Sequence, residues 1–266
     1  MTGSSESEAK GKSAALLNIE TKLPGAELSR TQMRDVNKTY NKFSWDGLTA
    51  ITPDIDWKEL LSKLMIYNTD SVVVQNPAFE KTIDSMLHNV SLSDWKAYMQ
   101  WHVINAAAPD LSEPFVAENF KFNQVLTGQK EMTPRWERVS HQIDNSLGDL
   151  LGELYVEKYF NAASKKRMLE PVNNLQQTFG ERIKRLDWMS EATKQKALHK
   201  LAAIAIKIGY TEKWRDYSSV VIKKDDFLGN KRRSAIWAYQ DMIGRLGKPV
   251  DKTRWSMTLP TVNALL

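Results

Sequence analysis

The sequence predicts an all-α protein built from many helices, with at most one or two short strands. Three observations carry that prediction. Apolar residues recur at intervals of three and four through most of the chain, the period of a helix with one buried face. Several of these runs open on Ser, Thr, Asp or Asn followed closely by proline or an acidic residue, as helix starts do. Apolar and other residues alternate in one place, Ile204, Ile206 and Ile208, which suggests a short strand near 204–209 ending at Gly209. At 266 residues with 42% hydrophobic side chains, the chain has ample material for a buried core in one large domain or two small ones.

The elements follow in order. Residues 1–12 are small, polar and charged, and read as a flexible end or the loose start of a helix. From there to residue 266 no linker or repeat divides the chain, so 13–266 reads as one helical lobe. Leu16, Leu17, Ile19 and Leu23 form an amphipathic helix that stops at Pro24-Gly25. Asp54 and Asp56 precede a short helix through Trp57, Leu60, Leu61 and Leu64, where acids suit the N-terminal end of the helix dipole. Asn76-Pro77 opens a helix through Ile83, Met86 and Leu87. Ser91 with Asp94 opens another through Trp95, Tyr98, Met99 and Ile104, and Ser112-Glu113-Pro114 a third, closed by Gly128.

Thr133-Pro134 starts the longest pattern, Trp136, Val139, Ile143, Leu147, Leu150, Leu151 and Leu154, which predicts a core helix. The next helix, through Met168, Val172, Leu175, Phe179, Ile183 and Leu186, contains Pro171, which should kink or divide it. Ser190 caps a helix through Ala197 and Leu201. A last helix, roughly Phe227 to Leu246, ends at Gly247 and Pro249. Trp95, Trp101, Trp136 and Met168 are expected to pack helix against helix.

Little in this chain carries chemistry by itself. The sequence has no cysteine, which excludes disulfides, thiolate metal sites and a cysteine nucleophile. His88, His102, His141 and His199 each stand alone in a predicted helix, with no second ligand at a spacing that would share a face and no HExxH. Asp54 with Asp56 and Asp225 with Asp226 lie at helix starts, where carboxylates serve as caps. The net charge of +5 is mild, and Asp225 and Asp226 interrupt the basic clusters Lys223-Lys224 and Lys231-Arg232-Arg233, so nucleic-acid binding is not predicted. No apolar run approaches the roughly 20 residues of a membrane span, and the N-terminus lacks a signal-peptide pattern.

An ordered set of motifs does point somewhere: Leu186-Asp187-Trp188-Met189-Ser190, Lys207-Ile208-Gly209-Tyr210, Trp214-Arg215-Asp216-Tyr217-Ser218, Gly247-Lys248-Pro249-Val250-Asp251, Trp255-Ser256-Met257 and Val262-Asn263-Ala264. Upstream, Asp94-Trp95-Lys96-Ala97-Tyr98, Pro134-Arg135-Trp136 and Leu154-Tyr155-Val156-Glu157-Lys158-Tyr159-Phe160 fit the same pattern. Together they resemble the neprilysin and endothelin-converting enzyme family of zinc metalloendopeptidases, most of all its bacterial oligopeptidase O branch.

The resemblance implies two largely helical lobes around a cavity. One holds zinc through HExxH and a downstream glutamate; the other covers the site and limits substrates to peptides. This chain corresponds to the covering lobe, with the zinc lobe absent, so it is expected to bind no metal and to be inactive alone. Asn263 and Ala264 match the family pair that hydrogen-bonds the substrate backbone, which implies a short strand near 260–266, while Leu265-Leu266 replace the family's aromatic pair. The resemblance further implies a periplasmic or extracytoplasmic location, peptide substrates and the missing lobe as partners, and self-association through uncovered apolar surface. Beside it stands a second reading, a non-catalytic helical module that binds peptides or docks onto a partner.

Overall fold

The computed structural model describes residues 3–259 and 261; the predicted site pair Asn263 and Ala264 lies outside the described residues, as does most of the strand expected near 260–266. The fold is helical, as predicted, and the chain divides into two compact units at Lys130 and Glu131.

The first unit opens with α1 (Glu6–Lys22). The helix therefore takes in about half of the segment that composition alone suggests is flexible. The reason is local: Ser5 and Glu8 form a reciprocal capping box, with the Ser5 hydroxyl accepting from the Glu8 amide and the Glu8 carboxylate accepting from the Ser5 amide at 2.7 Å. Four short elements follow α1 and its 3-10 extension: α2 (Val36–Thr39), β1 (Asn41–Ser44), α3 (Trp45–Ile51) and α4 (Trp57–Lys63). Beyond β2 (Ser71–Val74) come α5 (Pro77–Asn89), α6 (Leu92–Ala107) and α7 (Glu113–Thr127).

Ile19, Leu23, Met86 and Val90 form the core of this unit, and Phe79, Ile83, Trp95 and Tyr98 pack around it. Two polar residues tie its edges. Thr52, fully buried, donates to the Leu48 carbonyl and accepts from the Trp57 indole N–H, both at 2.8 Å, which sets the corner between α3 and α4. Asn76 caps α5 through its side-chain oxygen and donates through Nδ2 to the Ala26 carbonyl at 2.7 Å, fastening the turn after α1.

The two strands are not where alternation places one. β1 and β2 pair antiparallel, with Asn41 opposite Val74 and Ser44 opposite Ser71. Residues 204–208 run without a strand partner among the described residues, and Ile204 is exposed. Alternation favours an extended backbone, but a strand also requires an edge to pair with.

The second unit comprises α8 (Arg135–Tyr159), α9 (Ala162–Arg185), α10 (Glu191–Ala202) and α11 (Phe227–Ile243). α9 passes through Pro171 without dividing. Proline removes one backbone donor, and the helix is anchored on both sides: Asn161 caps it at 2.9 Å, and Gln176 donates to the Leu201 carbonyl at 3.0 Å. α8 is the helix that departs from regular geometry, at Leu147 (φ −134°, ψ 37°). Its predicted core face is largely open, with Trp136 71% and Leu154 66% exposed. Met168 of α9 is also exposed, so of the four residues expected to pack between helices, Trp136 and Met168 do not, while Trp95 packs against the core and Trp101 lies half-buried beside His102.

Replacing Asn76 with Ala removes both a helix cap and a bond to another element, and is expected to destabilise the chain by about 1–2 kcal/mol. Urea unfolding followed by circular dichroism checks this.

Candidate functional site

The segment that runs towards Asn263 and Ala264 is held in the second unit by a set of contacts that begins on α8. Gly148 and Gly152 are the buried residues of that helix. A Cβ on Gly148 would come to 2.5 Å from Thr258 Cγ2, and one on Gly152 would overlap the Leu259 side chain. Thr258 and Leu259 therefore lie directly on the helix backbone, an approach that only glycine permits. One turn earlier, Asp144 accepts a hydrogen bond from the Thr258 hydroxyl at 2.8 Å through Oδ2. Its other oxygen, Oδ1, is buried without a partner. The Thr261 amide donates to the Thr258 carbonyl at 3.1 Å, closing a turn.

The neighbouring residue, Asp149, receives three hydrogen bonds from Arg215: from Nη2 at 2.8 Å, from Nε at 2.9 Å and from the backbone amide at 3.2 Å. Burial by itself raises the Asp149 carboxyl pKa, but the hydrogen bonds and charge of Arg215 outweigh it and hold the group below the ordinary carboxylate range. Tyr217 is buried against Trp237 of α11, with ring centroids 4.3 Å apart. Asp241, on the same helix, pairs with Arg254, and Lys207 donates to the Arg254 carbonyl at 2.5 Å. Asp149, Arg215, Arg254 and Trp255 share the lining of a cleft of about 180 Å³.

The motifs at 207–217 are thus structural. Gly209 adopts φ +74°, with the Phe160 ring where a Cβ would lie. Tyr210 stacks on Trp214 at 6.3 Å, and Lys165 lies 4.1 Å over the Tyr210 ring while pairing with Glu212.

Three of the four histidines and three of the four paired acids have local partners. His88 contacts Asp54 at 2.5 Å, His102 lies 3.5 Å from Glu20, and His141 lies 3.8 Å from Glu137 one turn away. Asp56 caps α4 and Asp226 caps α11. Among the described residues no three His, Asp or Glu side chains gather as a metal centre requires, so this donor set does not fit zinc. Asp144, Gly148, Asp149 and Gly152 are not singled out in the sequence reading, although the G-x-x-x-G spacing within the longest helix marks a place of close approach.

Residues 1–211 match the family profile described as Peptidase family M13. The chain is 28% identical to a neutral endopeptidase of Lactobacillus helveticus over 97% of this chain and 40% of that protein. It is 26% identical to endothelin-converting enzyme 1 of Mus musculus over 98% of this chain and 36% of that protein. Its fold matches the crystal structure of the Mycobacterium tuberculosis zinc metalloprotease Zmp1 in complex with an inhibitor, with a TM-score of 0.89, 34% identity, and coverage of 98% of this chain and 40% of that one. PepO from Lactobacillus rhamnosis shares the fold at a TM-score of 0.85 and 22% identity, over 96% of this chain and 41% of that one. The chain spans about two fifths of the length of these relatives.

Replacing Asp149 with Asn is expected to cost about 2 kcal/mol at neutral pH, because the Arg215 charge loses its partner. The folded-state pKa of Asp149 is depressed, so its contribution is present above the unfolded carboxyl value of about 3.9 and is lost as pH falls through the lower folded value. Urea titrations of both proteins should show the gap closing below about pH 4.

Proposed function

The chain belongs to peptidase family M13, and from that premise we propose that it forms the helical lobe that covers the active site of a zinc metalloendopeptidase and restricts its substrates to peptides. The observation that carries this reading is the fold match to Zmp1, which takes in 98% of this chain but 40% of that one. The match aligns this chain with two fifths of a zinc metalloprotease, which supports reading it as one part of such an enzyme.

The chemistry assigned to the lobe is binding and orientation. Zinc, where the family holds it, polarises the scissile carbonyl and activates water. Asn263 carries both a donor and an acceptor on its side chain. In this reading it pairs with the backbone of an extended peptide while the chain beside it adds as a strand, a mode that selects for backbone and leaves side chains to be read elsewhere. The helices of the lobe supply the wall that excludes bulky folded substrates.

Two results test the proposal. The purified 266-residue chain should retain no stoichiometric zinc after dialysis against a zinc buffer and should leave a fluorogenic peptide intact; zinc-dependent cleavage would sink the assignment. The exposed apolar side chains Trp136, Leu154, Leu175 and Phe179 should also make the chain self-associate as concentration rises. Sedimentation velocity reads this directly, and a monomer at all concentrations would count against an apolar wall that is normally covered.

A further inference from the structure

We propose that residues 205–208 form a docking edge to which an extended acidic peptide segment adds as a strand. The inference does not rest on the covering-lobe role proposed above; it begins from the alternation of Ile204, Ile206 and Ile208, which the fold leaves unused. Burial follows the same alternation. Ala205 and Lys207 are exposed, whereas Ile206 and Ile208 are half-buried, the period of two that an extended backbone gives. Among the described residues, no backbone amide from Ala205 to Gly209 has a hydrogen-bond partner, and neither have the carbonyls of residues 204–207.

The stretch is held at both ends. The Ile204 amide donates to the Leu201 carbonyl of α10 at 3.3 Å. At the far end the Phe160 ring fills the space where a Cβ of Gly209 would lie, and Lys165 donates to the Tyr210 carbonyl at 2.8 Å. A row of free donors and acceptors pinned in this way is a preformed edge: pairing makes hydrogen bonds that the fold leaves unmade and orders little new backbone.

The surroundings select the chemistry of the partner. The stretch lines a cleft of about 390 Å³, within the roughly 300–1,000 Å³ usual for ligand sites. Leu169, Ile206, Ile208 and Trp255 give the cleft apolar surface. Its charged side chains are Lys165, Lys207, Lys213 and Lys252 against Glu212 alone, and Glu212 is taken by Lys165. Lys213 and Lys252 are exposed, with no ion-pair partner among the described residues. A strand added here places alternate side chains over the apolar surface and the others beside the lysines, so apolar residues alternating with carboxylates fit it. A second copy of this chain fits worse, because two such edges would bring like charges together.

The test uses the isotope-labelled 266-residue chain and a hexapeptide of alternating valine and glutamate, with binding and amide hydrogen exchange read by NMR. An added strand bonds to one side of its neighbour, and successive residues point their backbone groups to opposite sides. Protection should therefore rise about tenfold either at Ala205 and Lys207 or at Ile206 and Ile208, with the other pair unchanged. In the peptide, N-methylation of every second residue should abolish binding when it falls on the paired side and leave it when it falls on the other. Lys213→Glu with Lys252→Glu should weaken binding about tenfold or more, and a peptide with lysine in place of glutamate makes the same comparison on the unchanged chain.

Protection that rises equally at all four amides, or at none, would overturn strand addition. Affinity unchanged by either charge reversal would overturn the acidic partner. Alternate protection that appears without peptide as the chain is concentrated would assign the edge to a second copy and overturn the proposal.

Discussion

The second unit depends on how closely its chain can lie against α8. Gly148 and Gly152 are the buried residues of that helix, so what it presents at this point is bare backbone and not a ridge of side chains. Glycine weakens a helix interior by roughly 1 kcal/mol relative to alanine. Here the distortion at Leu147 falls immediately before the first glycine. From this place a closed circuit of contacts can be followed. Asp149 holds Arg215; two residues on, Tyr217 packs under Trp237 of α11; Asp241 of α11 holds Arg254; and the chain from Arg254 returns through Thr258 to Asp144 and the glycines. Each link limits where the next can lie, which is how a segment with little regular structure of its own is held in place.

That circuit mixes interactions of different kinds. The glycine contacts are steric, with an abrupt cost if violated, whereas the Asp149–Arg215 pair is electrostatic and partly buried, so it depends on the carboxylate remaining charged. In a low-dielectric setting an arginine deprived of its partner costs more than the intact pair contributes. The bidentate geometry therefore does more to exclude alternative arrangements of residues 214–217 than to add net stability. This also explains why an arginine serves here: its planar fork meets both carboxylate oxygens while its backbone amide reaches the same group.

Helix starts were the most legible feature of the sequence because they are local. Asp56, Asn76, Ser91, Ser190 and Asp226 each cap the helix that follows with their own side chain. The sheet was not legible, since Asn41–Ser44 finds its partner some thirty residues away and has a mixed composition that announces neither an edge nor a face. Within the candidate site, the motifs at 207–217 were readable as a family pattern. Their physical work was not, because Gly209 against Phe160 and Arg215 against Asp149 are contacts between positions about fifty and sixty-six residues apart.

α9 shows where helical periodicity stops being informative. Reading its apolar residues as one stripe groups Met168, Val172, Leu175, Phe179 and Ile183, yet the buried arc runs through Leu169, Val172, Gln176, Gly180 and Ile183, while Met168, Leu175 and Phe179 face outward. Two of the inward positions are not apolar in any useful sense. Gln176 is inside because its amide finds the Leu201 carbonyl, and Gly180 lies against Leu198 and Leu201 of α10 at a distance where a methyl group would make ordinary contact. The packed face thus combines the apolar Leu169, Val172 and Ile183 with a polar anchor and a glycine, while Met168, Leu175 and Phe179 are left on the other. The period of a pattern gives the existence of a helix; which side of it the chain itself covers depends also on groups that a hydrophobicity count passes over.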